Sequence, residues 1–151
     1  MSGKLSTHVL DTALGRPAAG VAITLWYLGD APPRGRPDAG LPDTSLPDAN
    51  LPDAGLPDTS LPDANLPEAV ARAVTNDDGR TDAPLLSGGT MRTGRYRLTF
   101  AVGAYYRRRG HPDAGRFLEE VPVEFVIADA STGYHVPLLV TPWSYSTYRG
   151  S

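Results

Sequence analysis

Two histidines, one arginine-bearing turn and an aromatic tail are the parts of this sequence whose residue types suit chemistry. His8 lies in the apolar stretch 5–11, where Ser6, His8 and Leu10 share a face if the backbone is extended, because side chains alternate along a strand. His135 lies in 134–140, on a face with Pro137 and Leu139. A lone histidine on a strand is usually structural or solvated. Two on separate strands, with no cysteine and no third good ligand, make a poor zinc site but a suitable acid–base pair. The third, His111, sits in the polar loop "RGHPDAG" and reads as solvated. Arg80 follows the turn Asn76-Asp77-Asp78-Gly79, whose glycine supplies positive φ. "TNDDGRTDAP" is not a calcium loop: its glycine stands fourth instead of sixth, and no Glu closes the twelfth position. The tail "SYSTYRGS" places two tyrosines and an arginine where chains normally fray. No G-x-S-x-G elbow, P-loop or dinucleotide fingerprint occurs.

Bulk composition narrows the classes. The 151 residues suit one domain, or one domain plus an appendage. The sequence has no cysteine, no apolar run near the ~20 residues of a membrane span, and no secretory leader at its start. A soluble, intracellular protein is expected, with no membrane partner. The net charge of −3 hides an asymmetry: seven acids and no base fall between Pro37 and Ala71, leaving ten acids against fourteen bases elsewhere. That mildly basic remainder suits a small anionic ligand and is too scattered for nucleic acid. Arg107-Arg108-Arg109 reads as a solvated helix face.

The elements that must position these residues read as β. Alternation or β-rich composition predicts strands over 5–11, 21–28, 72–76, 95–102, 120–128, 134–140 and 144–149. One short helix is expected over 104–110. Such a set points to an all-β sandwich with edges that favour oligomerisation. Between the second and third strands runs a five-residue repeat, "LPDTS LPDAN LPDAG LPDTS LPDAN LPEAV". A pentapeptide β-helix is disfavoured, since the run gives under two coils and its prolines delete backbone donors. Proline and a negative charge in every unit cannot build a core, so 32–69 is expected to be a disordered insertion in a single domain spanning 1–151.

The segments "LSTHVLDTALGRPAAGV", "VTNDDGRTDAPL", "GRYRLTF" and "YHVPLLVTPWSYSTYRGS" resemble the 5-hydroxyisourate hydrolases, the enzymatic branch of the transthyretin-like family. The likeness spans the chain apart from the repeat. It implies two four-stranded sheets and a cytoplasmic homotetramer whose channel receives the last strand, so that the tail is active-site wall. It also implies hydrolysis of 5-hydroxyisourate to 2-oxo-4-hydroxy-4-carboxy-5-ureidoimidazoline in urate degradation, part of purine catabolism, with no cofactor and no metal. The implied site is His8, Arg80, His135 and Ser151 as catalytic residues, with His8, Arg80, Tyr148 and Arg149 contacting substrate and Gly150 in the tail. His8 and His135 would activate water and shuttle its proton, while Arg80 holds and polarises the substrate. The alternative is a transthyretin-like protein that binds a small ligand without turning it over.

Overall fold

Lys4–Asp11, the first strand (β1), buries every second residue: Leu5, Thr7, Val9 and Asp11 point inward while Ser6, His8 and Leu10 stay half-exposed. The same two-sided logic, one face apolar and one wet, organises the rest. The computed structural model describes residues 2–30 and 66–150. The expected insertion at 32–69 therefore lies outside the described residues as far as 65, and Ser151 lies outside them too.

After β1 come β2 (Arg16–Pro17), β3 (Ala22–Gly29), β4 (Glu68–Val74), β5 (Leu86–Ser87) and β6 (Gly94–Phe100). Helix α1 (Val102–Arg108) follows, then β7 (Val121–Ile127), β8 (Tyr134–Val140) and β9 (Tyr145–Thr147). One sheet is ordered β4-β3-β6-β7 and antiparallel throughout. The other is ordered β2-β1-β8-β9, and β5 also pairs with β1. The two-residue strand β5 makes this sheet five-stranded where four were expected. Inside it, β1 and β8 run parallel in unbroken register from Leu5↔Tyr134 to Asp11↔Val140.

Leu5 and Val9 from one sheet, with Ile23, Leu25, Tyr96, Leu98 and Phe100 from the other, are almost fully buried. Each such side chain contributes roughly 1.5–3 kcal/mol relative to exposure. Four elements shift by two residues or more from expectation, of which β6 ends at Phe100 and β9 at Thr147, short of the expected 102 and 149. β4 begins at Glu68, so the last repeat unit, "LPEAV", supplies strand residues that pair with Tyr27 and Trp26. The helix starts at Val102 and ends at Arg108, two residues early at each end, and the Gly103 N–H, which has no partner within the first turn, donates to the Glu119 carbonyl at 2.8 Å. No helix among the described residues is long and apolar enough to cross a membrane.

Asp11 ties the helix to the sheet that carries His8. Its buried carboxylate accepts from the hydroxyls of Tyr105 and Tyr106, each at 2.9 Å, and from the amides of Ala13 and Leu14, each at 3.0 Å. Tyr106 Oη also donates to the Val140 carbonyl at 3.1 Å. Asp11→Ala leaves these donors without their shared acceptor. It is expected to cost about 2–5 kcal/mol, read as a lower midpoint in urea unfolding at unchanged slope.

Candidate active site

Strand alternation presents Ser6 and His8 on the outward face of β1, and the parallel register sets His135 of β8 directly beside Ser6. Ser6 Oγ and His135 Nδ1 lie 2.9 Å apart, in hydrogen-bond contact. The inward neighbour Thr7 locks that register by donating to the Val136 carbonyl at 2.7 Å.

Arg80 reaches this face through the turn that follows β4. Asn76 Oδ1 accepts from the amides of Asp78 (2.9 Å) and Arg80 (3.2 Å), and Gly79 N–H donates to the Asn76 carbonyl at 2.8 Å. Closing the turn, Val9 N–H donates to the Gly79 carbonyl at 2.8 Å, and Arg80 forms an isolated antiparallel bridge with His8. Only glycine fits position 79: φ is +74°, and a Cβ there would stand 2.4 Å from the Val9 carbonyl oxygen and 3.2 Å from His8 Cδ2. The sequence thus builds the turn around the histidine.

The tail covers the second histidine. Gly150 N–H donates to the His135 carbonyl at 2.7 Å. A Cβ on Gly150 would lie 2.8 Å from His135 Cδ2 and 3.3 Å from Cγ, so a glycine lets the backbone rest on the imidazole.

Electrostatics tie the three together. Burial first, and then the nearby Arg80 guanidinium, push both imidazoles below their ordinary pKa. His8 adds a smaller push on His135, whereas a hydrogen bond from the His8 ring to the Asp78 backbone and the charge of Asp78 pull His8 back upward. Both rings are therefore neutral at neutral pH, the state in which a histidine takes a proton. Arg80 forms no salt bridge among the described residues. It borders a cleft of about 230 Å³ with Lys4, Ser6, Asp82 and Pro84. A guanidinium beside two neutral imidazoles can grip a planar anion while an imidazole accepts a proton from water.

His8, Arg80 and His135 converge, with Gly150 against His135. Within one chain Tyr148 and Arg149 sit elsewhere, along a groove shared with Val123, Phe125 and Tyr134. There the Arg149 guanidinium lies 4.6 Å over the Tyr134 ring and donates to the Gly133 carbonyl at 3.2 Å. Tyr148 is 59% exposed. His111 is apart from the site, its Nδ1 accepting from the Asp113 amide. Among the described residues no three His, Asp or Glu side chains converge as a metal site requires. Sequence reasoning missed the contact of Ser6 with His135. Alternation placed Ser6 on the His8 face, but nothing local reveals a pairing across 129 residues.

Comparison with known proteins supplies independent evidence. The family model described as "HIUase/Transthyretin family" matches residues 48–150. The chain is 43% identical to 5-hydroxyisourate hydrolase 2 of Rhizobium meliloti, covering 99% of this chain and 98% of that one. It is 41% identical to the 5-hydroxyisourate hydrolase of Halalkalibacterium halodurans over the whole of both chains. Among solved structures, the 5-hydroxyisourate hydrolase of Klebsiella pneumoniae superposes with a TM-score of 0.64 at 29% identity, covering 99% of each chain.

Proposed function

This chain belongs to the HIUase/Transthyretin family, and from that premise we propose that it hydrolyses 5-hydroxyisourate at the face carrying His8, Arg80 and His135. The observation that carries the reading is the meeting of two neutral imidazoles and a guanidinium without a salt-bridge partner among the described residues, on one outward sheet face. Relatives at above 40% identity named for this hydrolysis support the choice of substrate. Water attacks a ring carbonyl, its proton passes to an imidazole, the C–N bond breaks, and the departing nitrogen takes the proton. Arg80 holds the anionic ring and stabilises charge on the carbonyl oxygen.

In this proposal the working unit is a cytoplasmic homotetramer. Its neighbouring subunits would close the outward face into a cavity, and Tyr148, Arg149 and Ser151 would line it from across the interface. That arrangement gives the exposed Tyr148 a substrate-orienting role. Urate oxidised in situ provides the unstable substrate, and its absorbance decay with and without protein tests hydrolysis. Decay at the spontaneous rate, with ligand still bound, would favour the binding protein instead.

Because both imidazoles are held below the ordinary histidine pKa of about 6.5, the neutral base survives mild acid. The acid limb of the kcat/KM profile is expected to have its midpoint below that value. Arg80→Gln removes one cause of the depression, so the NMR titration midpoints of His8 and His135 should both move up. Midpoints that stay in place would show that Arg80 is electrostatically remote from the rings.

A further inference from the structure

Ser6 carries a hydroxyl on the outward face of β1, and its recorded partner among the described residues is His135 Nδ1 at 2.9 Å. The contact is built by register: in the parallel β1–β8 pair Ser6 stands opposite His135, and the Thr7–Val136 bond holds the strands from slipping. Nδ1 is the ring nitrogen nearer the backbone, so a short serine reaches it, while Nε2 at the ring tip is left to project. Gly150 covers Cδ2 and Cγ. The ring is therefore held on its backbone-side nitrogen and over its carbon atoms, with its far nitrogen presented.

A neutral imidazole has one N–H, and a hydroxyl one O–H. If Nδ1 carried the proton and donated to Ser6 Oγ, the serine hydrogen would have no protein acceptor among the described residues and would turn to solvent in the cleft that Ser6 lines. If Ser6 donates to Nδ1, the serine hydrogen and the ring lone pair are both satisfied, and the ring proton must sit on Nε2. We propose that Ser6 is a positioning residue that holds His135 in its Nε2–H form, so that His135 donates a hydrogen bond to the substrate while His8 takes the proton from water.

His8 is suited to the complementary role. Its neutral ring keeps one bare nitrogen, and neighbouring Asp78 favours the proton that nitrogen takes up. The steps then balance. The water oxygen bonds to the ring carbonyl carbon as His8 accepts the water proton. The carbonyl oxygen, now negative, is held by His135 Nε2–H and Arg80. The C–N bond breaks, the carbonyl re-forms, and the His8 imidazolium returns its proton to the departing nitrogen. His135 keeps its proton throughout, so no imidazolate forms.

The kinetic part of this proposal rests on the hydrolytic reading; the tautomer does not. Long-range ¹⁵N–¹H spectra of the full chain, labelled at histidine and free of substrate, should show His135 protonated on Nε2 alone. In Ser6→Ala the Nδ1–H form should appear beside it, and Ser6→Thr, which keeps the hydroxyl, should restore the single form. In turnover assays S6A should lower kcat by about tenfold, the rate equivalent of one net hydrogen bond, with KM little changed. S6T should recover most of the loss. Protonation of His135 on Nδ1 in the native chain would overturn the proposal, as would spectra that S6A leaves unchanged. If S6A does not fold, the native and S6T spectra still decide between the two tautomers. Absence of turnover in the native chain would count against the hydrolytic reading while leaving the tautomer measurement standing.

Discussion

His8→Ala is expected to remain folded and to lose hydrolysis of 5-hydroxyisourate by about 100- to 10,000-fold, the range a positioned acid–base group supplies. The side chain sits on the outward face of β1, so its removal opens no core cavity, and unfolding should move little. His135→Ala should cost about 100-fold or more, as expected for loss of a donor aimed at developing negative charge. The double variant should be only slightly worse than the more damaged single one, since groups that serve one transition state are far from additive. Steady-state decay assays on the three variants, each checked by circular dichroism, measure this. Additive losses would mean that the two histidines act independently.

Removing residues 148–151 is the second large effect. In the described part of the tail, the Gly150 amide bonds the His135 carbonyl at 2.7 Å and the glycine backbone lies on the imidazole. Truncation leaves β9 and its pairing with β8 from Leu138↔Thr147 to Val140↔Tyr145 intact. It takes away the cover over His135, the exposed Tyr148 hydroxyl and the end of the proposed cavity. Misplacing a substrate by about 1 Å can cost roughly 100-fold in rate, so turnover should fall at least that far while the sandwich stays folded. Sizing of the truncated protein separates the causes. An intact tetramer with no turnover places the tail in the site, and dissociated subunits would make its role assembly.

Much of this was legible in the sequence because alternation is a local signal. Tyr96, Leu98 and Phe100 announce the buried face of β6, and the Asn76–Gly79 turn announces how Arg80 is delivered. The two histidines were legible for the same reason, each on a strand face with small or apolar neighbours. Long-range pairing was not. That β1 runs parallel to β8, with Ser6 opposite His135, follows from the packing of two sheets and from no residue near either one. β4 begins earlier than expected because Glu68, Ala69 and Val70 finish a repeat and Ala71 follows it, and glutamate and alanine have little strand character. Their pairing with β3 imposes the conformation, through a register shift at Leu25/Trp26. The positions of Tyr148 and Arg149, away from His135 within one chain, were hidden as well, since the family likeness speaks of a cavity that several chains complete.

The most direct test of the account is the initial decay rate of freshly generated 5-hydroxyisourate, in large excess over protein, for the native chain and for the His8→Ala/His135→Ala double variant at equal concentration. The account predicts many turnovers per native subunit and a double variant close to the spontaneous rate. Equal rates in the two proteins would contradict it, because the chemistry would then lie somewhere other than the face these histidines share.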